Sequence, residues 1–320
     1  MISFRWILSI LGTPFLWRPC IPLVRPKRLE WNPSLSPQTV QIKGHTIFYV
    51  VKGEGEPLLM IHGFGAGLWV WEKQIEVLSR FYRVYALDLI GHGFSDRPRI
   101  DYKPETYFHF LKDFMEGVGL KRATLIGNSM GGGIAWAMAV LFPEQVHRLI
   151  LIDCAPPDVL DQVKNDSFKT LEAIIDIPFL PRLVIAGRNK DSIKQVLKEC
   201  IFNIQLVTPE IVNRQYQISR IKGTTWVLYS TFKNGKGAEG MQYSLSTIRH
   251  PTLLIWGEKD LIFPPSLGEN LHRAIKGSTF HIIKGSGHIP MWENPEETNR
   301  VILSFLKLDE GTLFSAFESI

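Results

Sequence analysis

The chain has 320 residues, 45% hydrophobic and 21% charged, ordinary values for a globular protein of one large domain or one domain with an insertion. Its formal charge is +5, yet residues 1–30 hold Arg5, Arg18, Arg25, Lys27 and Arg28 against Glu30, so +4 sits there and the rest is too weakly charged for a nucleic-acid surface. Three cysteines, Cys20, Cys154 and Cys200, without C-x-x-C spacing argue against a disulfide framework and a zinc site, and favour a reducing, cytoplasmic setting.

Residues 1–37 read as an apolar, basic arm. Its run from Trp6 to Trp17 is shorter than the roughly 20 apolar residues of a spanning helix, contains Pro14, and leads to no small-residue cleavage site. Two readings stay open. Terminal tryptophans with flanking arginines suit peripheral membrane contact through residues 1–28; the alternative is an arm packed on the protein's own surface.

Seven short runs rich in β-branched residues follow: 46–51, 57–62, 82–89, 123–127, 148–153, 251–256 and 280–285. The middle ones are apolar on both faces, as a buried parallel sheet requires. Helical periodicity lies between them. Residues 103–120 place Phe108, Leu111 and Phe114 on one side. Residues 294–306 open with Asn294 as N-cap, Pro295 at the first position and Glu297 completing a capping box, and carry a stripe of Val301, Ile302 and Phe305. Strand–helix alternation predicts an α/β fold with a core of 38–156 and 251–310 and a tail of 311–320. It lapses over 157–250, where Ile193, Val196, Leu197, Cys200 and Ile201 share a helical face and Thr208-Pro209 starts another helix; this segment is expected to be a helical insertion.

The polar stretch Gly127-Asn128-Ser129-Met130-Gly131 lies between a strand and an apolar helix, 130–142, and fits G-x-S-x-G. A sharp turn there strains its central residue, and side chains two positions to either side would meet backbone, so glycine is required. The turn would lift the Ser129 hydroxyl into the crevice beyond the strand ends. Gly132 and Gly133 are expected to let the helix approach the sheet.

A serine hydroxyl needs a base that titrates near neutrality, which points to histidine. His45, His109, His147, His250, His272 and His281 fall at strand edges, on helices or in connections. His288 follows the last strand and precedes the last helix, at the same sheet edge as Ser129, in a loop kept close by Gly285 and Gly287. The imidazole needs a carboxylate to fix its tautomer. Asp260, after the penultimate strand, is favoured; Asp153, also at a strand's carboxyl end, is the rival, and Glu258 reads as solvent-facing. Oxyanion donors are expected at the N–H of Met130, which opens a helix, and of Phe64, in the glycine-rich loop 62–67 that His62 would brace. Phe179, Trp226, Tyr229 and Met241 are candidates to line an apolar substrate pocket. Asp88, Gly91 and Gly93 shape a turn, with His92 bonding backbone. The segment 235–240, GKGAEG, matches a dinucleotide fingerprint but follows no strand, so a nucleotide role is not expected.

With these motifs in place, residues 40–308 resemble the α/β-hydrolase superfamily: "HGFGAG", "DLIGHGFSD", "GNSMGG", "WGEKD" and "GSGHIP" stand in that family's order. The resemblance implies a mostly parallel eight-stranded sheet, a helical lid over 157–250, and a Ser129–Asp260–His288 triad working without metal or cofactor. It is similar to the serine branch that includes esterases and the meta-cleavage C–C hydrolases. Epoxide hydrolases and haloalkane dehalogenases share the scaffold with an aspartate nucleophile, where this chain has Ser129. The expected activity is cleavage of an apolar carboxylic ester. C–C hydrolysis or perhydrolysis on the same residues is the alternative, and a non-catalytic binding protein a third reading.

Overall fold

The computed structural model describes residues 22–26, 29, 32–157, 163, 165–235 and 245–306. Residues 1–21, Met241, residues 236–240 of the GKGAEG segment and the tail 311–320 lie outside the described residues. Among those described, no helix is long and apolar enough to cross a membrane.

Eight strands form one sheet in the order β1-β2-β4-β3-β5-β6-β7-β8. They are β1 Pro37–Ile42, β2 His45–Lys52, β3 Pro57–Ile61, β4 Arg83–Leu87, β5 Ala123–Asn128, β6 Val146–Ile152, β7 Thr252–Gly257 and β8 Thr279–Ile283. β2 pairs antiparallel with both β1 and β4; every other pairing is parallel. The central strands β5 and β7 are buried at all six positions. Alternate residues feed opposite faces. Leu59, Ile61, Leu125, Leu149, Leu151 and Leu254 enter one core, while Leu58, Met60, Ile126, Ile150, Leu253 and Ile255 enter the other. Burial on both faces is what the unbroken apolar runs of the sequence encode.

The helices are α1 Glu72–Leu78, α2 Pro104–Gly117, α3 Met130–Leu141, α4 Asp166–Ile174, α5 Leu180–Ala186, α6 Lys190–Cys200, α7 Pro209–Arg220, α8 Thr224–Gly235, α9 Pro265–Ala274, α10 Pro290–Glu293 and α11 Pro295–Phe305. α4 to α8 all fall between β6 and β7. In α2, Phe108, Leu111 and Phe114 are buried as their spacing predicts. The start of α11 differs from expectation. Asn294 makes no side-chain cap; its amide donates to the Lys284 carbonyl at 2.9 Å, and Glu297 turns to His281 instead. Tethering the incoming loop to β8 wins over capping.

Of the arm, residues 22–26, 29 and 32–37 are described: Arg25 Nε donates to the Phe94 carbonyl at 3.0 Å and its guanidinium pairs with Asp96, while Leu29 and Leu35 are buried in the core.

Candidate functional site

Ser129 stands between β5 and α3 with φ 54° and ψ −122°. This is a region that side-chain-bearing residues avoid, at a cost of order 1–3 kcal/mol that surrounding contacts must offset. The contacts are visible. Ser129 N–H donates to the Ile152 carbonyl at 3.0 Å, and the Ser129 carbonyl accepts from Ala155 N–H at 3.0 Å. A Cβ on Gly131 would fall 2.1 Å from the Ile61 carbonyl oxygen, and one on Gly127 2.3 Å from that of Gly131, so the bend closes only with glycine at both places. Gly132 approaches β6 closely, with Cys154 at 2.8 Å from its missing Cβ; Gly133 has ordinary space and borders a cavity instead.

His288 and Asp260 are held together. His288 Nδ1 donates to Asp260 Oδ2 at 2.8 Å, and both side chains are almost wholly buried. The other oxygen, Asp260 Oδ1, accepts from the N–H groups of Ile262 and Phe263 at 2.8 and 3.1 Å. The close passage of their two loops depends on Gly257, whose Cβ would sit 1.8 Å from the Gly287 carbonyl oxygen. The His288 backbone is tied to the serine turn as well: Asn128 Nδ2 donates to the His288 carbonyl at 3.0 Å and to the Ile152 carbonyl at 3.1 Å. Ser129 and His288 thus border one cavity of about 390 Å³, with Phe64 and Met130 also in its wall.

Asp153 lies beside this pair. Atoms of Asp153, Asp260 and His288 lie within 4.8 Å of one another. Asp153 Oδ1 accepts from Gly257 N–H at 2.9 Å, and its carboxyl faces that of Asp260. Burial, and then the charge of Asp260, push the Asp153 carboxyl well above the usual carboxylate range. Two carboxyls this close in a dry site cannot both ionise. Asp260 has three donors around it and Asp153 one, so the proton resides on Asp153. Glu258 is exposed and accepts from Gly285 N–H at 3.0 Å.

The glycine-rich loop after β3 is braced by His62. Its Nδ1 donates to the Gly63 carbonyl at 2.8 Å, and its Nε2 accepts from Leu89 N–H at 3.1 Å. Both nitrogens are used in the neutral ring, and burial lowers the pKa to about 4. Asp88 accepts from the N–H groups of Leu68 and Phe94, each at 2.7 Å, and shapes the turn 88–96. His92 Nδ1 reaches the Ile90 carbonyl at 3.3 Å, as expected, but the residue also borders the cavity.

The expected lining residues need correction. Phe179, Trp226 and Tyr229 are not in the cavity wall. Phe179 is 69% exposed and sits under the Arg182 guanidinium. Trp226 Nε1 donates to the Ile100 carbonyl and its ring carries Arg99; Tyr229 packs at a tilt against Trp226 and is flanked by Arg182 and Lys233. The reason is helical phase. On α8 the cavity takes Thr224, Leu228, Thr231, Phe232 and Gly235, spaced by three and four, and Trp226 and Tyr229 fall on the other face. The wall is otherwise apolar, with Trp136, Phe168, Ile134 and Ile185 among its members.

Comparison with known proteins accords with this architecture. Residues 56–295 match the family model described as the alpha/beta hydrolase fold. The chain is 29% identical to Epoxide hydrolase 4 of Homo sapiens, over 86% of this chain and 80% of that one. Among solved structures, it resembles the meta-cleavage product hydrolase of Pseudomonas fluorescens IP01, with a TM-score of 0.72 and 26% identity over 86% of this chain and 98% of that one. It also resembles a membrane phospholipase A described as a bacterial virulence factor, with a TM-score of 0.68 and 29% identity over 95% of this chain and 92% of that one.

Proposed function

This chain belongs to the α/β-hydrolase fold family, and we propose that it is a serine hydrolase cleaving a carboxylic ester of an apolar substrate through an acyl-enzyme on Ser129. The observation that carries the reading is the strained Ser129 turn at the wall of an apolar cavity that His288, bonded to Asp260, also borders. Asp260 fixes the proton on Nδ1, so Nε2 is the nitrogen that takes the Ser129 proton as the hydroxyl attacks the ester carbonyl. The N–H groups of Met130 and Phe64 hold the oxyanion; loss of one such donor costs about 10²–10³ in turnover. Proton return from His288 releases the alcohol, and water then repeats the sequence on the acyl-enzyme. No metal or cofactor enters this scheme. The helices α4 to α8 act as the lid, and Phe168, Ile185 and Leu228 are among the side chains they present to the acyl chain.

The similarity to a membrane phospholipase A supports an acyl ester as substrate and peripheral membrane contact through residues 1–28. The similarity to meta-cleavage hydrolases supports a second reading, C–C hydrolysis on the same residues. A serine in place of the expected aspartate argues against epoxide opening despite the relative so named. Labelling with a fluorophosphonate followed by mass spectrometry tests the proposal. An adduct on Ser129 that His288→Ala suppresses is the expected result; ligand binding with no adduct would favour a non-catalytic protein. Parallel turnover of an ester and a dienoate separates the two hydrolytic readings.

A further inference from the structure

Two acceptor atoms at the cavity have no partner among the described residues. The first is Nε2 of His92. His92 is 3% exposed, and its ring packs against those of Phe64 and Tyr107, both in the cavity wall. A carbonyl can only accept, so the contact with Ile90 puts the ring proton on Nδ1 and leaves Nε2 as a bare lone pair. Burial, together with the neighbouring His62, lowers the His92 pKa well below the usual histidine range, so the ring is neutral at physiological pH. The second is Oε1 of Gln215. Its amide orientation is set by Nε2 donating to the Gly65 carbonyl at 2.7 Å, which leaves the amide oxygen buried and unpaired. Both acceptors flank the loop 63–66, whose Gly63 lies against Ser129: a Cβ on Gly63 would be 3.0 Å from that of Ser129.

Unpaired buried acceptors cost free energy unless a ligand supplies donors. An anion cannot, because a carboxylate or phosphate brings only acceptors. The two arginines that border the cavity are held by the protein itself. Arg97 donates to Thr224 Oγ1 and to the carbonyls of Ser95 and Gly93, and Arg188 donates to those of Ile185 and Ser219. An aliphatic acyl chain carries no donor, so the donors belong to the alcohol half of an ester. We propose that His92 and Gln215 are substrate-binding residues that select esters whose alcohol part bears free hydroxyls, of the glycerol type, over esters of simple alcohols and over substrates with an anionic group. This rests on the serine-hydrolase reading and names its substrate class.

The test compares kcat/KM for 1-monodecanoylglycerol and ethyl decanoate in the wild type, His92→Phe and Gln215→Met. Both variants keep a side chain of similar shape and remove the acceptor. The wild type is expected to prefer the glycerol ester at least tenfold, and each variant to lower that ratio about tenfold, chiefly through KM, with ethyl decanoate within about threefold of wild type. A ratio makes the result independent of any loss of folded protein. Equal use of the two esters by the wild type, or an equal fall for both in the variants, overturns the inference. Titration of the wild type with 1-O-decylglycerol and decyl ethyl ether, which cannot be hydrolysed, separates the two layers. Preferential binding of the glycerol ether without turnover of either ester sinks the hydrolase reading alone; turnover without preference sinks the hydroxyl selection alone.

Discussion

β5 and β6 lie side by side in parallel register, with Asn128 opposite Ile152, and the residue after each strand adopts a left-handed backbone: Ser129 with φ 54° and Asp153 with φ 42°. Each is pinned by the next strand, Ser129 N–H on the Ile152 carbonyl and Asp153 N–H on the Ile255 carbonyl, both at 3.0 Å. The outcomes diverge. The first turn brings a hydroxyl to the cavity wall; the second buries a carboxyl completely against Asp260. One backbone device therefore serves exposure in one strand and concealment in its neighbour, and the following helix makes the difference. After Ser129, α3 begins at once, with glycine where it meets the sheet; after Asp153 the chain runs on through Cys154, Ala155 and Pro156.

The sharpest way to break this comparison is to remove the two functional groups. Ser129→Ala is expected to lower ester turnover about 10⁶-fold, read as p-nitrophenyl ester hydrolysis, with a melting temperature close to wild type. Asp260→Asn should lose about 10⁴-fold, because the imidazole would lose the acceptor that sets its tautomer, whereas Asp153→Asn, already neutral in the folded protein, should lose less than about tenfold. Similar losses for the two Asn variants would erase the distinction between the carboxyl bonded to His288 and the concealed one.

Acidification gives the next largest effect. His62 has a pKa of about 4 when folded against 6.5 as an ordinary histidine, so the unfolded chain takes up a proton first and stability falls as pH drops from about 6.5 to 4, by about 3 kcal/mol. Urea denaturation of wild type and His62→Gln across that range should show the variant's flatter profile. Asp153 acts with the opposite sign. Its raised pKa means that the unfolded chain releases the proton near pH 4 while the folded state keeps it, so stability is lost as pH rises from there towards the folded pKa. Asp153→Asn should therefore gain on wild type between about pH 4 and neutrality in the same assay. The smallest effect is backbone strain alone: Ser129→Gly should stabilise by about 1 kcal/mol, seen as a shifted urea midpoint, while Asp153→Gly forfeits that gain with the Gly257 hydrogen bond.

The seven apolar runs correspond to β2 to β8; in the central strands burial on both faces leaves a continuous hydrophobic signature, whereas β8, exposed or half-buried at four of its five positions, shows through its apolar and β-branched residues alone. β1 escapes that reading. It is an edge strand whose sequence, PQTVQI, is half exposed and begins with proline, and it pairs through the Lys43-Gly44 turn, where both residues have positive φ. The chemistry-bearing residues were legible from where each stands after a strand, since topology alone gathers strand ends at one edge. Cavity lining was not, because it depends on the phase of α8, and large aromatics such as Trp226 and Tyr229 look like pocket residues when cations cover them. The free Nε2 of His92 was hidden for a similar reason: its backbone bond is readable from the turn, its second nitrogen only from what surrounds it.

The loop that carries His288 is also stitched to the end of α6. His288 N–H donates to the Cys200 carbonyl at 2.7 Å, and Glu293 accepts from Gly287 on one side and from Phe202 and Asn203 on the other. The inserted helices are consequently clamped at this corner, and prying it open would strain the loop that holds His288 against Asp260.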